Sequence, residues 1–221
     1  MKKSNLLKYA VAAAVTLPVA GMSFSASAEV SSSAAVSSMY LWRGQDISSS
    51  APVLSGDISY SHDSGLYAFA WGSSLGAVGG VSNISSYELD LGAGYAGKAG
   101  DLGYDLGYYT FSYPEATKAD DLDGAEYTVA LSYDMVNFKA YIDAYGDNDY
   151  SYYTLDASYG AFTGLIGVSD PKADKAGYTH FDLSYAASDK LTFTYSAPLS
   201  REANSGLSNK PIIAISYSLP I

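Results

Sequence analysis

Residues 52–74 read PVLSGDISYSHDSGLYAFAWGSS, and this stretch decides the fold. In both of its halves large apolar residues alternate with small or polar ones, a period of two that only an extended strand turns into two distinct faces. Residues 61–65 between the halves supply turn formers, ending in Gly65. The stretch therefore predicts a β-hairpin whose large residues share one face, packed on a core or on lipid: Leu54, Ile58, Tyr60, Tyr67, Phe69 and Trp71.

The composition favours a single all-β domain. The 221 residues include 22 Tyr and 21 Gly, while only 16% are charged, which suits strand faces and turns rather than helices. The absence of Cys excludes a disulfide scaffold, a thiolate metal site and a Cys nucleophile. A net charge of −11 argues against a partner made of nucleic acid, because phosphate binding needs cations.

The first 28 residues have the three parts of an export signal. Lys2, Lys3 and Lys8 precede an apolar stretch at 9–22, and an A-x-A site ends at Ala28. A membrane-anchoring helix is the alternative, but the apolar stretch is shorter than the ~20 residues that a spanning helix needs. We expect residues 1–28 to be a cleavable signal peptide and residues 29–221 to form the mature domain.

Period-two patterning recurs along the whole mature chain. No run of 18 apolar residues occurs after the signal, so a membrane-embedded chain would have to be a barrel. About twelve strands are predicted, near 32–43, 52–61, 66–74, 86–96, 102–112, 125–134, 137–145, 150–159, 162–169, 178–187, 191–199 and 210–221. Short links alternate with longer polar ones, with the short link at 146–149 as the exception, as in outer-membrane barrels with short periplasmic turns and long outer loops. The predicted fold is an all-β, transmembrane, antiparallel up-and-down β-barrel.

Aromatic residues flank the short links and suggest contact with outer-membrane lipid. Rings at that depth would form an interfacial girdle. The predicted girdle consists of Tyr60, Tyr67, Tyr95, Tyr104, Tyr133, Phe138, Tyr185 and Phe193. The last strand keeps its apolar face to Ile221, which resembles the C-terminal signal read by the barrel-assembly machinery, although such signals usually end in Phe.

Three spaced motifs carry a family resemblance. They are Tyr40-x-Trp42-Arg43-Gly44, Pro52-x-x-x-Gly56-x-x-x-Tyr60 and Ser64-Gly65-x-Tyr67-x-x-x-Trp71-x-Ser73. Together they resemble the Gcw-chp family of proteobacterial conserved hypothetical proteins. The resemblance implies an outer-membrane barrel of undefined function, and it supplies no catalytic residue.

Charged residues on the predicted inner face are mostly acidic. The candidate lumen and selectivity residues are Arg43, Asp57, Glu88, Asp90, Asp105, Glu126 and Asp182. A surplus of carboxylates in a narrow tube favours cations. We expect Arg43 on the first strand at the channel mouth, paired with Asp46 or Asp57; the alternative is an Arg anchored in the outer headgroup layer.

The sequence contains only weak signals for catalysis or metal binding. His180 and Asp182 share a polar face and leave a barrel hydrolase open as a minority interpretation, but no G-x-S-x-G or H-E-x-x-H motif occurs. Acidic loops at 120–124 and 147–149 do not match an EF-hand, and divalent-ion binding there stays open. No enzyme activity, cofactor or metal site is predicted. The favoured function is a porin-like channel or binding barrel for small, cationic solutes; the alternatives are a filled structural or adhesion barrel and the hydrolase.

Overall fold

The fold is built from β-strands. The computed structural model describes residues 28–75, 87–114, 124–144, 150–171 and 176–221. No helix within those ranges is long and apolar enough to cross a membrane. The strands are β1 Glu29–Ser37, β2 Leu41–Trp42, β3 Gln45–Asp46, β4 Val53–Ser61, β5 Leu66–Ser74, β6 Tyr87–Ala99, β7 Leu102–Ser112, β8 Gly124–Tyr133, β9 Val136–Asp143, β10 Tyr150–Tyr159, β11 Phe162–Pro171, β12 Tyr178–Ala186, β13 Leu191–Arg201 and β14 Ile212–Ser218. Residues 1–27 of the predicted signal, and Asp120, Asp121, Asp123, Asp147 and Asp149 of the acidic loops, lie outside the described ranges.

Twelve of the strands close into one antiparallel barrel. Strands β4 to β14 each pair with their neighbours in sequence, and β1 closes the ring between β4 and β14. The closing seam is short, with residues 35–37 of β1 paired to residues 216–218 of β14. The predicted up-and-down barrel of about twelve strands is confirmed.

The links between strands distinguish the two ends of the barrel. Short links join strands at one end, the turn end, at 62–65, 100–101, 134–135, 160–161 and 187–190. Longer links join them at the other end, the loop end, at 38–52, 75–86, 113–123, 144–149, 172–177 and 202–211. Glu29 pairs with Ser61, so the chain enters the barrel at the turn end.

The barrel wall is apolar outside and polar inside. On β6, Leu89 and Leu91 are exposed, whereas Glu88 and Asp90, which alternate with them, are buried. Soluble domains show the opposite arrangement, with charged side chains outside and apolar ones buried. The strand alternation therefore produces a polar lumen within an apolar outer surface.

Strand β5 departs from the predicted faces. The prediction that Tyr67, Phe69 and Trp71 share the outer apolar face with β4 is wrong. Trp71 pairs with Asp57 across β4 and β5, and directly paired residues project from the same side of a sheet. All three rings consequently face the lumen, and the alanines of β5 face outward. Alternation defines two faces for a strand, but only the register against its neighbour decides which face is inner.

Glycines on β6 make room for these rings. A Cβ at Gly92 would collide with the ring of Phe69, and one at Gly94 would collide with the hydroxyl of Tyr67. The rings therefore lie directly on the backbone of the wall, and any larger residue at either position would displace them.

The first strand is also shorter than predicted. It ends at Ser37, and the following residues form a separate two-stranded hairpin in which Leu41 pairs with Asp46 and Trp42 with Gln45. Arg43 and Gly44 occupy its turn with φ values of 50° and 79°. Positive φ at both central residues is the pattern of a type I′ turn, which matches the twist of hairpin strands. We call residues 41–46 the lumen hairpin, because the contacts described below hold it inside the barrel.

Candidate functional site

A buried ion pair joins the lumen hairpin to the barrel wall. The guanidinium of Arg43 donates to both carboxylate oxygens of Glu126, at 2.9 and 2.6 Å, and the two side chains are 7% and 5% exposed. The expected pairing with Asp46 or Asp57 at a channel mouth is therefore wrong. Arg43 reaches Glu126 because its turn projects into the lumen toward β8, whereas a residue on the first strand would have remained on the wall.

Aromatic rings surround the guanidinium of Arg43. Its Cζ atom lies 4.5 Å from the ring centroid of Trp42, 4.7 Å from those of Tyr141 and Tyr152, and 5.3 Å from that of Tyr150. Such distances are within the range of cation–π attraction, which strengthens when water is excluded. We call these four rings the aromatic cage.

A tyrosine hydroxyl forms further hydrogen bonds with the Arg43–Glu126 ion pair. The hydroxyl of Tyr109 donates to Glu126, and Arg43 also lies 3.4 Å from that hydroxyl. The carboxylate is thus oriented by a phenol and neutralised by a guanidinium. This geometry recognises a planar, bidentate cation rather than a point charge.

A second set of contacts holds the far side of the lumen hairpin. The Gln45 amide donates to the Tyr178 hydroxyl at 2.8 Å, and that hydroxyl donates to the carbonyl of Arg43 at 3.0 Å. Gly44 lies against the imidazole of His180, where a Cβ would come within 2.6 Å of the ring. Only glycine can both lie this close to the imidazole ring and adopt the positive φ of the turn.

His180 serves as part of this wall. Its Nδ1 lies 2.9 Å from a carboxylate oxygen of Asp182, and its Nε2 lies 2.7 Å from the hydroxyl of Tyr152. A triad hydrolase would need a nucleophilic hydroxyl, normally that of serine, at the second nitrogen. Here that position holds a phenol that also belongs to the aromatic cage, and His180 is fully buried beneath Gly44.

The remaining predicted acids divide between two regions. Glu88 and Asp90 are buried and interact electrostatically with Arg43. Glu88 accepts from Tyr113 at 3.2 Å, while its second oxygen and one oxygen of Asp90 have no hydrogen-bond partner among the described residues.

Two of the predicted acids lie closer to the turn end. Asp105 accepts a hydrogen bond from Tyr67 at 2.9 Å, and Asp57 accepts one from Ser33. Asp105 and Lys139 line a cavity of about 20 Å³ in the wall region formed by β5 to β9, which is room for roughly one water. All seven predicted lumen residues therefore face inward, but only Arg43 and Glu126 are in direct contact.

Seven of the eight residues predicted for the girdle lie on the outer wall near the turn end, and one does not. The seven that face outward there are Tyr60, Tyr95, Tyr104, Tyr133, Phe138, Tyr185 and Phe193. Tyr67 is buried and bonded to Asp105, so its assignment to the girdle is wrong. The assignment failed because the large side chains of β5 face the lumen, whereas the sequence pattern had placed them on the outer face.

Apolar packing fills much of the lumen near the loop end. One cluster contains Tyr40, Val53, Trp71 and Leu75, and a second contains Tyr109, Tyr141 and Tyr152. Sequence reasoning missed the cage tyrosines of β9 and β10, because nothing in those strands marks them as partners of Arg43. The available signal was the Trp42–Gln45 segment, whose Arg-Gly centre fits a two-residue hairpin turn as well as a strand end.

Comparisons with known proteins identify a family and no function. A family model described as "Bacterial protein of unknown function (Gcw_chp)" matches residues 22–210. No curated protein matches the chain. A solved structure described as "Asymmetric conductivity of engineered proteins" is similar to 75% of this chain, with 14% identity and a TM-score of 0.45, and this chain spans 55% of that one.

Proposed function

Because the chain belongs to the Gcw_chp family of bacterial proteins of unknown function, we propose its role from its own geometry. The proposed function is that of an outer-membrane β-barrel for small cationic solutes, closed in the described conformation by the lumen hairpin. The observation that carries the proposal is the docking of a short hairpin inside an acidic lumen through a salt bridge, hydrogen bonds and cation–π contacts.

The outer surface supports a membrane location. Exposed Leu, Ile, Val, Phe and Tyr side chains occur on all twelve barrel strands, and a lipid environment would cover them. Seven aromatic side chains near the turn end suit an interface between lipid and water. The predicted export signal and the long links at one end agree with an outer membrane in which the turn end faces the periplasm.

The lumen supports cationic solutes. Among the described inward side chains, acids outnumber cations: the acids are Asp57, Glu88, Asp90, Asp105, Glu126, Asp143, Asp156 and Asp182, and the cations include Arg43 and Lys139. The resulting negative potential raises the local concentration of counter-ions. The lumen hairpin carries Arg43, the partner of Glu126, so its departure would uncover the carboxylate of Glu126 as well as widen the lumen.

Gating by the lumen hairpin is testable in planar bilayers. The chain contains no Cys, so Arg43→Cys with Glu126→Cys creates only two thiols and removes both charges of the pair together. A short reducible thiol cross-linker would hold the hairpin to the wall. We expect low conductance after cross-linking and a cation-selective increase after reduction.

The second candidate function is a filled structural barrel. The two aromatic clusters favour it, because they fill the lumen around the hairpin. Replacing residues 41–46 by a Gly-Ser linker separates the two functions. A folded variant without conductance would support the structural barrel and contradict gating, whereas anion preference would contradict the acidic lumen.

The membrane location has its own test. Leu131→Arg places a cation on the outer face, while Ala130→Arg places it in the lumen. If Leu131 lies near the bilayer midplane, the outer substitution should lower the free energy of unfolding in vesicles by about 2–4 kcal/mol, and the inner one by less. Equal costs, measured by urea titration, would contradict a lipid-facing surface.

A further inference from the structure

The pocket around the Arg43 guanidinium has the composition of a ligand-binding site. It combines a bidentate carboxylate from Glu126, the hydroxyl of Tyr109 and the aromatic cage. We infer that this pocket binds small organic guanidinium cations, and that Arg43 is its internal occupant. The inference rests on the proposed function and names the class of solute that the barrel would accept.

The pocket belongs to the wall rather than to the hairpin. Glu126 and Tyr109 lie on β8 and β7, and three of the four cage rings lie on β9 and β10, namely Tyr141, Tyr150 and Tyr152. Trp42 is the one cage member that moves with Arg43. Withdrawal of the lumen hairpin would therefore leave the carboxylate, the phenol and three rings in place.

The vacated pocket would strongly favour a cation. Within the part of the chain that the structure describes, Glu88 and Asp90 each already have one buried carboxylate oxygen without a partner while Arg43 is present. Removing Arg43 would leave Glu126 without its countercharge as well, and an uncompensated buried charge is costly. A cationic solute that enters the pocket would replace the charge that the hairpin withdrew.

The shape of the pocket selects guanidinium over ammonium. Two N–H groups of Arg43 meet the two oxygens of Glu126, an arrangement that a planar fork makes and a compact ammonium does not. Ring faces within 4.5–5.3 Å stack favourably on a weakly hydrated planar cation. Solute and Arg43 cannot occupy the pocket together, so solute binding and hairpin docking compete.

Binding of methylguanidinium to purified protein in detergent tests the inference. Arg43→Ala empties the pocket, and Trp42 provides a fluorescence signal beside it. We expect saturable binding at least roughly tenfold tighter in Arg43→Ala than in the wild type, since the internal competitor is gone. Methylurea, a neutral isostere, should not bind, and methylammonium should bind more weakly.

Matched variants locate the site. Adding Glu126→Gln to Arg43→Ala should abolish binding, whereas adding Asp105→Asn, at a different part of the lumen, should leave it unchanged. Equal binding in the wild type and in Arg43→Ala, or binding that survives Glu126→Gln, would overturn the inference.

Folding offers a second readout. If Arg43→Ala does not fold alone, methylguanidinium should restore refolding of the barrel, measured by the burial of Trp42, and methylurea should not; failure of this rescue would also overturn the inference. The binding test and the conductance test can fail separately, because methylguanidinium binding to the protein in detergent does not require conduction across a bilayer. Binding without conductance would support the guanidinium pocket and contradict the channel. Cation conductance without binding would support the channel and contradict the guanidinium pocket.

Discussion

The two ends of the lumen are built from the same alternating wall but are filled differently. Near the loop end, a hairpin brings a guanidinium to Glu126 among packed rings. Near the turn end, inner side chains are mostly small and bonded across strands, as in Ser158 with Thr163 and Asn137 with Asp156. Asp105 there has a phenol as its hydrogen-bond partner and a cavity beside it.

The contrast shows that the wall alone does not decide whether a barrel is open. Inner polar residues occur along the whole axis, yet among the described residues the two aromatic clusters and the Arg43–Glu126 pair lie in the region that receives the hairpin. Three substitutions test whether the two ends differ as much in energy as they do in geometry.

The largest effect is expected at Glu126. Glu126→Gln leaves the buried guanidinium of Arg43 without a countercharge, and breaking a buried pair in this way costs about 3–5 kcal/mol. The hairpin can avoid part of this cost by leaving the lumen. We therefore expect lower stability to urea and greater access of acrylamide to Trp42, measured in a Trp71→Phe background where Trp42 is the only tryptophan.

A charge-balanced variant provides the control for Glu126. Arg43→Met combined with Glu126→Gln removes both charges, and it should recover much of the stability lost in Glu126→Gln. If the single and double variants are equally unstable, the ion pair does not determine the position of the hairpin.

An intermediate effect is expected at Gly44. Alanine there would adopt a positive φ, at a cost of about 1–2 kcal/mol, and would also collide with the ring of His180. Gly160 is the matched control, since it has a φ of 61° but nothing within 4 Å of an added Cβ. Gly44→Ala should therefore destabilise the protein more than Gly160→Ala. Of these two variants, only Gly44→Ala should expose Trp42 to the quencher. Identical urea midpoints and quenching would show that the contact with His180 contributes nothing.

The smallest effect is expected at Asp105. Asp105→Asn keeps an oxygen that accepts from Tyr67 and removes a charge remote from the hairpin, so the free energy of unfolding should change by about 1 kcal/mol or less. Trp42 should remain as protected as in the wild type. An effect as large as that of Glu126→Gln would mean that the two ends of the lumen are energetically coupled.

Much of the architecture could be predicted from patterns within single strands. Leu89 and Leu91 opposite Glu88 and Asp90 identify the two faces of β6, and the alternation of short and long links predicts an even, antiparallel barrel. Those inferences succeed because strand periodicity and link length are local properties.

The functional site needed information that no local pattern contains. The inward direction of Tyr67 follows from the pairing of β5 with β4, and the assignment of Arg43 to a turn follows from where β1 ends. Arg43 and Glu126 are separated by 83 positions in the chain. The surplus of inner acids was visible in the sequence, but the choice of one of them as partner of Arg43 was not.

The sequence by itself determined the approximate positions of the twelve barrel strands and the alternation of polar with apolar side chains along them, because each of these depends on neighbours one or two positions away. Only the tertiary structure decided that the segment after β1 turns into the lumen, that Glu126 receives its cation there, and that tyrosines from β9 and β10 enclose it. These contacts arise when the closed ring brings distant strands around one space, and their geometry depends on register and closure rather than on any single strand.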